Sequence, residues 1–277
     1  MFITDLDGTL LNDDGGISNE DLNALEALGK MGIVRVVATG RSWYSFHKAL
    51  VGLALAGPDN FLPVDYVIFS TGAGIMAFPS MELLRDHSLS PHEVHCIVDH
   101  FEAERCDYMV HRPIPRTREF VFRSHGRDNP DFRSRIEIYS SWATPMDAGG
   151  INGFGRATQV LAIVPGQDDA LGVFECTQKT LSGLSVVRAT SPLDHESMWI
   201  EVFPGGVSKS HSTAWLAGQL GLRRDNVVAV GNDYNDLDLL LWAGSGFVVA
   251  NAPPDLKSRF TAVASNNNSG VARVVSR

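Results

Sequence analysis

Two carboxylates two positions apart directly follow the apolar pair Phe2-Ile3, in the run Asp5-Leu6-Asp7-Gly8-Thr9. Phe2-Ile3 reads as the start of a strand, and Asp is a poor strand-interior residue that is seldom buried unpaired. As packing, the two carboxylates make little sense. At the carboxyl end of a strand they make sense as chemistry, because open α/β sheets bind ligands in the crevice there.

The residues that follow suit such a sheet. Ser18 caps a helix whose first turn is acidic, and Leu22, Leu25 and Leu28 recur along it until Gly32 ends it. Val34–Ala38 is apolar and β-branched enough for a second buried strand, stopping at Thr39-Gly40-Arg41. Strand, helix, strand is a parallel crossover. A helix over 43–54, a Pro/Gly loop and a third strand at Tyr66–Phe69 extend the pattern, which returns late in the chain. There Ser208 caps a helix reaching about Leu220, and Asn226–Val230 and Phe247–Val249 read as strands.

Between these segments the chain is more charged, with weaker apolar runs. Helices are expected from Pro91 to about Glu104 and from Asp168 to Leu181. Strands are expected at 108–110, 119–122, 159–164, 185–189 and 199–202. The Arg-, Ser-, Gly- and Pro-rich stretch 123–155 carries no readable pattern. The expectation is an α/β fold: a Rossmann-like parallel sheet with helices on both faces over 1–80 and 200–277, and an inserted α+β domain over 81–199.

Composition restricts the partners. With 32 acidic against 23 basic residues the formal net charge is −9, which argues against a nucleic-acid binder and toward a metal or small molecule. No stretch of about 18 apolar residues offers a membrane span, and no signal peptide is visible. The 3 cysteines form no CxxC pair. A soluble cytoplasmic protein is expected, with no membrane partner.

Four signals lie where a strand ends or a helix begins: Asp5/Asp7, Thr39-Gly40-Arg41, Lys209 and Gly231–Asp236. In that order DLDGTLL, ATGR, the lysine of GVSKS and GNDYNDLDLL resemble the motifs of the haloacid dehalogenase-like (HAD) hydrolase superfamily, in its Cof-type branch with a large α+β cap. The resemblance spans the core, reaching Asn251-Ala252 and Gly270-Val271-Ala272, and is weak through the cap. It implies Asp5 as nucleophile, Asp7 as general acid and base, and phosphoryl rather than dehalogenase chemistry. It also implies a cap that shields the site and sets specificity.

The residue chemistry agrees. A carboxylate attacking a phosphoryl group splits one difficult hydrolysis into two easier steps. Anion–dianion repulsion, on the order of 4 kcal/mol per unit-charge pair at about 4 Å and a dielectric of about 20, calls for a divalent cation. Mg²⁺ suits an all-oxygen set drawn from Asp5, the Asp7 carbonyl and the 232–236 loop. That loop departs from the commoner GDxxND: the usual Asp is Asn232, so Asn232 with Asp236 is expected at the metal, and Asp233 is an alternative ligand. Thr39, Gly40, Arg41, Lys209 and Asn235 are expected to hold phosphate; Thr39 could equally cap a helix, and Arg41 could be a surface residue. Thr71-Gly72-Ala73 stands where relatives often have Asn-Gly-Ala. The expected activity is Mg²⁺-dependent hydrolysis of a small phosphorylated metabolite, a sugar phosphate or phosphorylated cofactor, through an aspartyl-phosphate. A phosphomutase, or a weakened metal- or ligand-binding regulator, is the alternative.

Overall fold

The computed structural model describes residues 1–57, 60–126, 128–147 and 149–277. Residues 58 and 59 of the expected Pro/Gly loop, and 127 and 148 of the unread stretch, lie outside them. The chain divides into two compact units, Met1–Asp86 with Ser208–Arg277, and His87–Val207.

The first unit is built on one sheet in the spatial order Thr261–Ala262, Ser245–Val248, Val228–Gly231, Phe2–Thr4, Arg35–Ala38, Tyr66–Phe69, Gly74–Ala77 and Glu82–Asp86. The first six strands run parallel, and the last two form an antiparallel hairpin on the edge. That hairpin carries the first segment of this unit to Asp86 rather than residue 80. Its register shifts between Ile75 and Met76, and its outer strand is partly exposed, so the run looks like loop in sequence. Phe2–Thr4 lies between Arg35–Ala38 and Val228–Gly231, one reached by the next crossover and the other only after some 220 residues. The order of winding thus reverses beside the first strand, which makes its carboxyl end the crevice of a doubly wound sheet.

Side chains alternate along the strands. Ile3, Val36, Ile68 and Ala229 share one cluster with Leu216 of helix Lys209–Gln219 and Leu239 and Leu240 of helix Leu237–Trp242. Helix Asn19–Lys30 is capped by the Ser18 side chain, which accepts from Asp21 N. It buries Leu25 and Leu28, each worth about 1.5–3 kcal/mol. Buried Asp21 accepts from the backbone N–H of Ala272 at 2.7 Å, tying this helix to the C-terminal helix Gly270–Val275. Helix Trp43–Gly52 is capped by Ser42, so the helix-cap reading of Thr39 fails: Thr39 sits three residues upstream of that cap.

The second unit is a sheet in the order Ala143–Pro145, Phe120–Arg123, Asp107–His111, Gln159–Val164, Met198–Phe203, Ser185–Thr190. Among the described residues only its outermost pair, Ala143–Pro145 with Phe120–Arg123, is parallel. Helices Pro91–Ala103 and Ala170–Thr180 cover one face with Val94, Ile97, Phe101, Val173 and Phe174. The unread stretch holds a further helix, Pro130–Ile138, which packs Phe132 and Ile136 on the other face against Met109, Leu161 and Trp199. Its sequence FRSRIEI has polar and charged residues at most positions, and its strongest start signal is the Asn129 cap followed by Pro130.

His111 is buried on that second face, and its Nδ1–H donates to the Thr117 carbonyl at 2.8 Å while Nε2 has no partner. Burial, helped by the Arg135 charge, pushes its pKa down to about 3. Unfolded histidine titrates near 6.5. The unfolded chain therefore binds one proton more than the folded one between these values, and stability falls on acidification by about 1.4 kcal/mol per pH unit, from about pH 6 toward 3. Urea unfolding of His111→Asn should show this slope reduced by about one proton. An unchanged slope would show that His111 is not held neutral.

Candidate functional site

Asp5 is placed at the end of the first strand because its backbone N–H still donates to Val230 O at 2.9 Å, while its side chain turns beyond the sheet. The turn that follows needs Gly8 at φ +69°, a left-handed conformation. Space also excludes a side chain there, since an added Cβ would lie 2.6 Å from the Asn232 side chain.

Lys209 joins the two halves of the split unit. Its Nζ donates to Asp5 Oδ1 at 2.7 Å and to Asp236 Oδ1 at 2.6 Å, with no exposure of the lysine or of Asp236. Asp236 Oδ2 accepts from the backbone N–H groups of Asn232 and Asp233 at 2.9 and 3.2 Å. Asp236, expected at the metal, thus spends both oxygens on Lys209 and its own loop. Asp233 spends its side chain accepting from Asp236 N, so the two residues cap one tight turn reciprocally. Burial pushes the Asp5 carboxyl up to about 8, against the pull of Lys209 and with the Asp236 and Asp7 charges adding to the rise. For Lys209 burial works the other way, but the Asp236 and Asp5 carboxylates outweigh it and hold the ammonium above the ordinary lysine value.

The Asn232 side chain closes the remaining side. One atom of its amide lies 3.0 Å from Thr9 Oγ1, 3.1 Å from Asp5 Oδ2 and 3.0 Å from the Asp7 carbonyl oxygen. An octahedral cation with ligands at about 2.1 Å needs oxygens about 3 Å apart along each edge. With its oxygen turned inward, Asn232 stands at that edge distance from both Asp5 Oδ2 and the Asp7 carbonyl, as ligands of one Mg²⁺ would. Among the described residues no trio of His, Cys, Asp or Glu side chains gathers to hold a metal. This cradle has one carboxylate, one backbone carbonyl and one amide, the hard oxygen donors Mg²⁺ takes.

The Asp7 carboxylate points elsewhere, forming a bidentate pair with Arg41: Nη2 to Oδ1 at 2.6 Å and Nε to Oδ2 at 2.8 Å. Arg41 is positioned by its own N–H, which donates to Thr39 Oγ1 at 3.0 Å. Thr39 is fully buried, and its carbonyl accepts from Thr71 N at 3.1 Å. A Cβ on Gly40 would lie 3.6 Å from both Thr71 Oγ1 and Asn235 Nδ2, so the ends of these two side chains meet beside Gly40. Ser70 and Thr71 both adopt positive φ, 47° and 55°. Gly72 could carry no side chain, because a Cβ would come within 2.3 Å of Ser208 O, the residue before Lys209.

Sequence reasoning missed the clasp behind the catalytic turn. Asn251 Nδ2 donates to the Gly8 carbonyl at 2.7 Å, and Asn251 Oδ1 accepts from Asn266 N at 3.1 Å. Asn266 Nδ2 reaches Leu11 O and Asp13 Oδ1, and Asn267 Nδ2 reaches Asp13 Oδ2. In the sequence these residues show only as a short polar run, Asn266-Asn267-Asn268. Asn251→Ala should cost about 1 kcal/mol of stability but lower kcat by about 10- to 100-fold, since small misplacements of reacting groups are expensive. Steady-state kinetics beside a urea curve would separate the two, and an unchanged kcat would make Asn251 merely structural.

The site is thus a lysine clamped between two carboxylates at the switch point of an open sheet. The haloacid dehalogenase-like hydrolase family matches residues 2–275. The chain is 26% identical to 5-amino-6-(5-phospho-D-ribitylamino)uracil phosphatase YitU of Bacillus subtilis, covering 99% of this chain and 95% of that protein. It is 25% identical to pyridoxal phosphate phosphatase YbhA of Escherichia coli, covering 95% and 92%. Its fold is similar to that of the HAD subclass IIB sugar phosphatase BT4131, with TM-score 0.76 and 15% identity over 99% and 97% of the chains. The chain belongs to the haloacid dehalogenase-like hydrolase family. Among the described residues no helix is long and apolar enough to cross a membrane.

Proposed function

We propose that the protein hydrolyses small phosphorylated metabolites, of the sugar-phosphate or phosphorylated-cofactor kind, with Mg²⁺ and through an aspartyl-phosphate on Asp5. The observation that carries this reading is Lys209, bonded at once to Asp5 and Asp236. With Asp5 ionised, the three groups carry one net negative charge in a buried site. A divalent cation held by Asp5, the Asp7 carbonyl and Asn232 would favour the ionised Asp5 and reverse the sign of the site for a phosphate dianion.

Asp5 Oδ2 faces the cradle, so Oδ1 is the oxygen left to approach phosphorus, with the Lys209 ammonium beside it to hold a phosphate oxygen. Asp236 positions Lys209 and anchors the backbone of Asn232. Thr39, whose Oγ1 already accepts from Arg41 N, keeps its O–H to donate to a phosphate oxygen, and the Asn235 amide lies next to the neighbouring Gly40. Asp7 lies two residues from Asp5 on the turn beyond it, where rotation about its own side-chain bonds brings its carboxyl to the leaving oxygen. It would give a proton to that oxygen, then take one from the attacking water. Arg41 holds Asp7 aside in the structure and competes with that movement. YitU is named for 5-amino-6-(5-phospho-D-ribitylamino)uracil, YbhA for pyridoxal phosphate and BT4131 as a sugar phosphatase, which bounds the screen.

The test is phosphate release from a panel of sugar phosphates, nucleotides, and flavin and pyridoxal phosphates, with Mg²⁺ and with chelator. Turnover of at least one ester, abolished by chelator, is expected. No turnover on any ester, with tight ligand binding, would favour the regulator instead, and an isomeric phosphate in place of free phosphate would favour a mutase.

A further inference from the structure

The cradle that would hold the cation is also satisfied by a different atom. With Asp5 in the carboxylate form that its bond to Lys209 favours, Asp5 Oδ2 and the Asp7 carbonyl only accept hydrogen bonds, and both face the same end of the Asn232 amide at 3.1 and 3.0 Å. With the oxygen at that end, three acceptors crowd together and Thr9 Oγ1–H is the one donor, at 3.0 Å. With the nitrogen there, its two hydrogens are shared among Asp5 Oδ2, the Asp7 carbonyl and Thr9 Oγ1. Oxygen and nitrogen of an amide are told apart by such networks, and this one selects nitrogen. An aspartate in the same place has no such second orientation.

We infer that Asn232 is a reversible stopper in the cation cradle. In the cation-free chain its NH₂ group bridges Asp5 and Asp7, and cation uptake turns the amide over to present its oxygen. The inference rests on the cation site proposed above. Three features make the reversal easy. The terminal torsion of Asn is broad and two-fold, so the turn needs no backbone movement. The backbone of Asn232 is pinned by its N–H to Asp236 Oδ2 at 2.9 Å, so the loop stays in place while the side chain turns. Thr9 is fully buried, and its hydroxyl can accept from the amide nitrogen or donate to the amide oxygen, so it follows either orientation. The lack of a side chain on Gly8 leaves room for the outer end of the amide.

Two consequences separate this chain from one with aspartate at 232. Its cradle is internally satisfied without metal, and its cation affinity is lowered both by a neutral ligand and by the bonds that must break. The first test follows the Asn232 side-chain NH₂ resonances of the full-length protein, identified by their loss in Asn232→Ser, as MgCl₂ is added. The pair should shift and lose its protection from solvent exchange. A pair that stays unchanged at Mg²⁺ concentrations saturating a calorimetric titration overturns the inference.

The second test is Asn232→Asp. Its Mg²⁺ dissociation constant should fall at least about tenfold, since ligand charge tunes such sites. Its thermal midpoint in chelator should fall below that of the unaltered protein and recover with Mg²⁺; equal midpoints in chelator count against the stopper. Should this variant not fold, the resonance measurement on the unaltered protein decides alone. Turnover of p-nitrophenyl phosphate with an unmoved amide pair rejects the stopper only, whereas no Mg²⁺ binding and no turnover rejects the phosphatase reading itself.

Discussion

Asp5→Asn is expected to lower phosphatase turnover at least about 10⁴-fold while leaving the chain folded, because removing a nucleophile that acts within a concerted set costs nearly all the catalysis that set supplies. The amide is isosteric, and its oxygen can still accept from Lys209 Nζ in the geometry seen at 2.7 Å. The neutral amide escapes the burial penalty that pushes the Asp5 carboxyl up to about 8, so the thermal midpoint should be equal to or above that of the unaltered protein. Two measurements check this. Phosphate release from the best ester of the panel gives the loss of turnover, and rapid acid quench should find a hydroxylamine-labile phosphoryl group on the Asp5 peptide of the unaltered protein and none on the variant. Turnover within about a hundredfold of normal would sink Asp5 as nucleophile, whatever the stability.

What could be read ahead of the structure follows from how each residue does its work. Asp5, Asp7, Lys209 and the 231–236 loop announced themselves because carboxylates, glycines and a lysine stand where a buried strand or a helix start would not choose them. Helix caps such as Ser18 and Ser208 were equally local, each completed within three residues. The second role of Lys209, clamped by Asp236 as well as Asp5, was not local: it depends on a side-chain direction that no spacing encodes. The same holds for Arg41, which turns to Asp7, and for Asn251, which reaches Gly8 across 243 positions. The helix Pro130–Ile138 escaped notice because it buries few residues, Asp131 and Phe132 foremost, and so leaves a weak apolar stripe.

Lys209→Met is expected to be the most destabilising single change at the site. The ammonium is fully buried between Asp5 and Asp236, and Met has similar length but no charge, so the substitution strands two carboxylates about one lysine head apart. Breaking a buried pair in this way costs about 3–5 kcal/mol, because the charges left behind can neither pair nor reach water. At roughly 2–4 °C per kcal/mol for a domain of this size, the thermal midpoint should drop by about 6–20 °C. Asp236→Asn alone should also destabilise, through its bonds to Lys209 and to the N–H groups of Asn232 and Asp233. Combined with Lys209→Met, however, it removes one of the stranded carboxylates. The double variant should therefore be more stable than the sum of the single losses by at least about 1 kcal/mol, the signature of direct coupling. Turnover should fall by about 10²- to 10³-fold in Lys209→Met, as for loss of a preorganised charge at developing anionic oxygens. It should not recover in the double variant, because removing Asp236 relieves burial without restoring a cation beside Asp5. Additive losses of stability would mean that Lys209 and Asp236 do not share one buried network, and recovered turnover would mean that Lys209 serves only to hold the fold.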